Sequence, residues 1–260
     1  MGSEGQLASV DGRIGAAEEA TLALPDDGLF RGDGVFEVIR VYGGRAFALA
    51  DHLDRLVVSA SRIDLDLDRG AIDHEVATVL ERIDDDRLVR VIATRGARRL
   101  VFTEPMPDHP PSIALEPVTY SPTVILDGVK SISYVANMQA TRIAKRAGAA
   151  DALLVRPDGM VLESPTSSIF WVAGGEIKTP SLELPILDSI TRRRLLGWID
   201  VVEGEWALDE VLAADEVFIA STTREVHAVD RVGETSFALP GGRTEEAARA
   251  FAEGRAAELA

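Results

Sequence analysis

The sequence predicts an α+β fold, and three observations point that way. Segments dense in β-branched and aromatic residues occur along both halves of the chain. Other stretches repeat apolar residues at helical spacing. The two kinds of segment mix without a regular strand–helix–strand alternation, which disfavours a doubly wound parallel sheet.

Residues 35–42 (VFEVIRVY) read as a strand, entered through Arg31-Gly32-Asp33-Gly34 and left at Gly43-Gly44. Leu53, Leu56, Val57, Ala60 and Ile63 then recur at helical spacing, and Ile72, Val76, Val79, Leu80 and Ile83 mark a second helix. Residues 88–94 and 112–117 read as strands. The stretch from Pro117 to Asp127 holds two prolines and no period. Residues 119–127 are therefore expected to link a small domain, 1–118, to a larger one, 128–260. Beyond the linker, 135–147 reads as a helix and 152–155 as a strand. Pro157-Asp158-Gly159 forms a turn into a strand at 160–163, and 169–173 is a further strand. Gly174-Gly175-Glu176 makes a hairpin turn to a return strand at 177–179. Asp188 or Ser189 can cap a helix running to about Ile199. Residues 216–220 read as a strand and 244–259 as a C-terminal helix.

The 260 residues suit one large domain or two small ones, and 46% hydrophobic residues can bury a sizeable core. A net charge of −16 argues against nucleic acid, whose affinity comes from neutralising phosphates, and against an anionic membrane surface. The absence of cysteine excludes disulfides, zinc–thiolate sites and thiol catalysis. No basic-then-apolar leader pattern stands at the N-terminus, and no apolar run approaches the ~20 residues of a membrane span. The expectation is a soluble, cytoplasmic protein.

Only three residues are lysine, against 24 arginines. Lys130 stands in Gly-Val-Lys-Ser-Ile-Ser-Tyr, between an apolar run and an amphipathic helix, and Glu163 closes the strand after the Pro-Asp-Gly turn. A lysine able to form a Schiff base, with a carboxylate on another strand, is what a pyridoxal phosphate enzyme needs. The other lysines are blander: Lys145 lies among Arg142 and Arg146 on a polar helix face, and Lys178 on the return strand of a hairpin. Arg55 falls off the apolar face that Leu53, Leu56 and Val57 define, where it is available to an anion. Ile190 and Thr191 open a helix, whose first backbone amides favour an anion. The four histidines show no metal-ligand spacing, so no metal is expected. Arg31-Gly32-Asp33-Gly34 precedes a strand and is not a dinucleotide fingerprint, and there is neither a Walker loop nor a nucleophile elbow.

Six blocks in order carry a resemblance: DDGLFRGDGVFEVIRVYGG, HLDRLVVSASRI, GVKSISYVANMQATRIAKRAGAADALLV, DGMVLESPTSSIFWVAGGEIKTP, LDSITRRRL and VFIASTTREVHAV. They span about Asp26 to Val229, and the chain there resembles the class IV pyridoxal-phosphate aminotransferases. That family includes D-amino acid aminotransferases, branched-chain aminotransferases, (R)-selective amine transaminases and aminodeoxychorismate lyases. The resemblance implies a two-domain fold, with a small N-terminal α/β domain and a larger C-terminal α/β domain built on a pseudo-barrel. It implies pyridoxal 5'-phosphate as cofactor and a homodimer. Lys130 matches the Schiff-base lysine, which moves the substrate proton as general base and acid. Glu163 matches the carboxylate that faces the pyridine nitrogen. Arg55 and Thr222 match phosphate ligands, alongside Ile190 and Thr191. Ser168 stands where the family has asparagine, and Ala228 where it has proline.

For the substrate, D-amino acid aminotransferases of the family carry a tyrosine where this chain has Phe36. They hold the carboxylate with an Arg-x-His pair, and Ala97-Arg98-Arg99-Leu100 has no histidine in register. The cations left are Arg40, Arg98 and Arg99. The expected activity is transfer of an amino group from a D-amino acid to a 2-oxo acid. The first alternative is 4-amino-4-deoxychorismate lyase, with the same cofactor and elimination of pyruvate. A branched-chain L-amino acid enzyme is disfavoured by the short chain and the missing Lys-Ala-Gly-Gly-Asn-Tyr. A binding module that has lost its cofactor is disfavoured by retention of Lys130, Glu163, Arg55, Thr191 and Thr222.

Overall fold

A computed structural model describes residues 5–237, 239 and 241–260. Its packing separates the chain into two units: one of residues 5–107 and 129–134 with Leu259, the other of the described residues of 108–128 and 135–258 with Ala260.

In unit 1 the elements are β1 (Leu7–Val10), β2 (Arg13–Ala16), α1 (Asp27–Arg31), β3 (Gly34–Tyr42), β4 (Arg45–Ala46), α2 (Leu49–Arg62), α3 (Arg69–Leu80), β5 (Arg87–Thr94) and β6 (Arg99–Glu104). The strands form an antiparallel sheet in the order β2-β1-β6-β5-β3-β4. Side chains alternate across a strand, so each strand has a helix-facing set. Val35, Ile39 and Val41 of β3 join Val89, Val91 and Ala93 of β5 and Val101 of β6 on that side. They pack on Leu53, Leu56 and Ala60 of α2 and on Ile72, Val76 and Val79 of α3. Burying each of these large aliphatic side chains contributes about 1.5–3 kcal/mol before chain entropy is counted.

Residues 129–134 lie along the start of β3. Phe36 donates its amide to the Lys130 carbonyl (3.0 Å), and Ile132 donates to Gly34 (3.0 Å). Gly34 makes this approach possible: a Cβ there would lie 2.5 Å from the Ala93 carbonyl oxygen and 2.9 Å from Ile132 Cδ1. Gly32 ends α1 in the left-handed region, at φ 68°, beside Ser133.

Unit 2 contains β7 (Ser112–Thr119), α4 (Val135–Arg146), β8 (Asp151–Val155), β9 (Ser168–Ala173), β10 (Glu176–Pro180), α5 (Ile190–Trp198), β11 (Val201–Gly204), α6 (Leu208–Leu212), β12 (Glu216–Ser221), β13 (Glu225–Val232), β14 (Thr235–Ser236) and α7 (Gly242–Glu258). Its sheet runs β11-β10-β9-β12-β13-β7-β8, with β14 on β13, and curls into a half-barrel. One face carries Ile169, Trp171, Val217, Ile219 and Val229. On the opposite face of β9 and β12, Phe170 and Phe218 stack at 4.9 Å. Trp198 of α5 meets Phe251 of α7 edge-on at 5.6 Å.

The expected division at 1–118, 119–127 and 128–260 differs from this packing. The strand at 112–117 is β7, and it pairs in parallel with β13 and β8, so it belongs to unit 2. Residues 119–127 also belong to unit 2, whereas Lys130 and its neighbours belong to unit 1. Local composition cannot show such exchanges, because each rests on pairing with residues far away in the chain. The expected strand at 160–163 is reduced to two isolated bridges, Val155 with Val161 and Met160 with Ala207. Arg99 opens β6.

Candidate functional site

In unit 1 the buried stripe of α2 is His52, Leu53, Arg55, Leu56, Ser59 and Ala60. Arg55 therefore lies on the buried face and Val57 is exposed, the reverse of the apolar-count expectation. Three polar members of the stripe are used. Arg55 grips Glu37 of β3 in a bidentate pair, Nε to Oε1 and Nη2 to Oε2, each at 2.7 Å. His52 Nδ1 donates to Glu37 Oε2 at 2.8 Å, the carboxylate being able only to accept. Ser59 Oγ accepts the Lys130 amide at 3.1 Å.

Burial alone would push the Glu37 carboxyl up, but Arg55 and the His52 hydrogen bond outweigh it and hold it at about 2. His52 is pushed below its ordinary value, first by burial and further by the charges of Arg55 and Lys130, so it is the neutral imidazole. Glu37 and His52 were not singled out from the sequence. The available signal was a charged residue on the inward parity of an apolar strand, and a histidine three residues before an arginine on one helix.

Lys130 is pinned at both backbone groups, by Ser59 and Phe36. Its Nζ lies 4.5 Å from the centroid of the Phe36 ring, and Tyr134 meets that ring edge-on at 5.5 Å. The structure thus brings Lys130 and Phe36 together. Arg40 shares the strand parity of Phe36, with its guanidinium carbon 4.5 Å over the Tyr42 ring. Arg90, also on that face, sits 5.6 Å from Phe36 and pairs with Glu104 at 2.8 Å. Arg99 lies on the other face, since it pairs in register with Ala93, and it bonds Glu75 at 2.7 Å. Arg98 is held by Asp11 at 2.7 Å.

In unit 2 Glu163 follows Leu162, which pairs back onto β8. Its Oε1 accepts the Leu187 amide at 3.2 Å, in the segment leading to α5. Tyr120 donates to Asn137 at 3.5 Å, and Asn137 donates to the Pro165 carbonyl at 3.3 Å. Burial and the Glu163 charge both push the Tyr120 phenol up. Ser189 caps α5 by taking the Arg192 amide, and Ile190 and Thr191 form the buried first turn. Thr222 lies in the turn between β12 and β13. No group of three or more metal-ligating side chains occurs among the described residues.

Residues 34–232 match the family model of the class IV amino-transferases, and the chain belongs to that family. It is 32% identical to a putative branched-chain-amino-acid aminotransferase of Methanocaldococcus jannaschii, over 84% of each chain. It is 30% identical to a D-alanine aminotransferase of Bacillus licheniformis, over 86% of this chain and 88% of that one. An aminodeoxychorismate lyase of Bacillus subtilis is 27% identical, over 92% and 90%. Among solved structures, a hypothetical aminotransferase from Mycobacterium tuberculosis with α-ketoglutarate and PMP bound superposes with a TM-score of 0.89. It is 24% identical and covers 97% of this chain and 99% of that one.

Class IV aminotransferases use pyridoxal 5'-phosphate. Each unit carries donor types that suit such a group: unit 1 a fixed lysine, unit 2 a carboxylate oriented by a backbone amide and a helix N-terminus carrying a hydroxyl.

Proposed function

We propose that this aminotransferase moves an amino group from a D-amino acid to a 2-oxo acid. The observation that carries the reading is the similarity, at 28–30% identity over 86% of the chain, to D-alanine aminotransferases of several bacteria. The cofactor, when bound, supplies an electron sink for the pair left at the substrate Cα. Lys130 would hold it through its amine and would carry the proton that leaves Cα. Glu163 keeps the ring nitrogen protonated. Ile190 and Thr191 offer backbone amides and a hydroxyl to the phosphate, Thr222 adds a second hydroxyl, and Arg55 adds positive charge. Phe36 sets an aromatic face against the amine, and Tyr134 packs edge-on against that ring.

A second reading, 4-amino-4-deoxychorismate lyase, is supported by the 27% identical relative. A half-reaction panel separates the two. Holoenzyme is mixed with D- and L-amino acids, (R)-1-phenylethylamine and aminodeoxychorismate, and loss of the cofactor's visible band is followed. Bleaching by D-alanine or D-glutamate, with regeneration by a 2-oxo acid, is the expected result. Bleaching only by L-leucine or L-valine would move the assignment to branched-chain substrates. Pyruvate release from aminodeoxychorismate, with no response to D-amino acids, would establish the lyase.

A further inference from the structure

Two of the three arginines expected to meet the substrate carboxylate already hold carboxylates of this chain, Arg98 with Asp11 and Arg99 with Glu75, and the third, Arg40, lies over the Tyr42 ring. Arg224 stands in the turn between β12 and β13 and forms no ion pair among the described residues. Its Nη1 reaches only the Thr166 hydroxyl, at 3.3 Å, and its Nε is buried with no hydrogen-bond partner. The adjacent carboxylate is directed elsewhere. Glu225 takes the left-handed region at φ 55° and bonds Arg255 at 2.5 Å. The charge of Asp151 acts on Arg224. That carboxylate is already bonded by the Thr141 hydroxyl (2.6 Å) and the Ala152 amide (2.9 Å). Burial lowers the guanidinium from its ordinary range, with Asp151 opposing. A half-buried cation with an unfilled fork is costly, and a chain with 43 acidic residues had many ways to fill it.

The location gives the fork a use. Ala220 pairs with Ser168, so the end of β12 lies beside the start of β9. The turn carrying Thr222 and Arg224 therefore adjoins the loop 164–167, which follows Glu163 directly, and Thr166 of that loop is the residue Arg224 touches. We propose that Arg224 binds a carboxylate of the substrate and selects amino and 2-oxo acids over amines that lack one. A planar guanidinium takes a carboxylate through two parallel N–H bonds, and its partial desolvation strengthens them. The inference rests on the aminotransferase reading and names the residue that recognises the acid.

The test uses holoenzyme and maleate, an unreactive dicarboxylate, in wild type, Arg224→Gln and Arg224→Lys. Maleate binding is followed by the shift of the cofactor's visible absorption, and cofactor affinity is measured separately by fluorescence titration. The expected result is maleate binding about 10-fold or more weaker in Arg224→Gln, partly restored in Arg224→Lys, with unchanged cofactor affinity. In turnover, the ratio of kcat/KM for D-glutamate to that for (R)-1-phenylethylamine should fall ~10–100-fold. Maleate affinity within twofold of wild type would overturn the proposal. So would a parallel loss of cofactor affinity, which would assign Arg224 to the phosphate. If D-amino acids fail to react in wild type while maleate binding still depends on Arg224, the donor assignment fails and the Arg224 assignment stands.

Discussion

Lys130 is defined less by its own side chain than by what fixes its backbone. Its amide and carbonyl are both bonded within unit 1, to Ser59 and to Phe36, and the ammonium rests over an aromatic ring. A long side chain whose root cannot move loses less entropy when it reacts. Glu163 accepts the Leu187 amide, which orients its carboxylate. Glu163→Gln preserves size and removes the anion. It is expected to leave the fold and cofactor binding in place while slowing single-turnover proton abstraction from D-alanine by about 100-fold or more. Stopped-flow loss of the visible band measures this, and a rate within a few-fold of wild type would refute the role.

At the scale of elements, the buried Glu37–Arg55–His52 cluster ties β3 to α2. Both titrating members weaken the fold in acid. The depressed His52 is neutral when folded, so its contribution is complete above about 6.5 and declines as pH falls below that value. Glu37 is depressed from 4.5 to about 2, so its contribution is complete above 4.5 and is lost as pH falls through that window. Chemical unfolding of wild type should therefore show stability falling below pH 6.5 and more steeply below 4.5. Glu37→Gln should start about 3–5 kcal/mol lower at pH 7, because Arg55 loses its buried partner, and should lose less between pH 5 and pH 3. Parallel pH curves for the two proteins would contradict this. The cluster also shows what the sequence displays and what it conceals. Elements with a strong apolar period, such as β3, α3, β8 and the β9–β10 hairpin, are legible residue by residue. The stripe of α2 is not, because its polar members His52, Arg55 and Ser59 are invisible to a count of apolar positions, and Val57 misleads it. The β1–β2 hairpin, β6 and β13 carry too many polar or charged residues for the pattern to stand out.

Across the whole molecule, the residues matching the family blocks distribute over both units: Phe36, Arg55 and Lys130 in the first, Glu163, Ile190, Thr191 and Thr222 in the second. Each was singled out because it stands in a short local motif. No local motif marks the boundary between the units, since Lys130 joins unit 1 through hydrogen bonds to residues far back in the chain. No helix among the described residues is long and apolar enough to cross a membrane. The central claim, that Lys130 is the residue carrying the cofactor, is open to direct chemical test. The cofactor-loaded protein is reduced with borohydride, digested and mapped by mass spectrometry, with three lysines to distinguish. The expected result is one phosphopyridoxyl group, on Lys130; an adduct on Lys145 or Lys178, or none in protein that retains the cofactor, would contradict it.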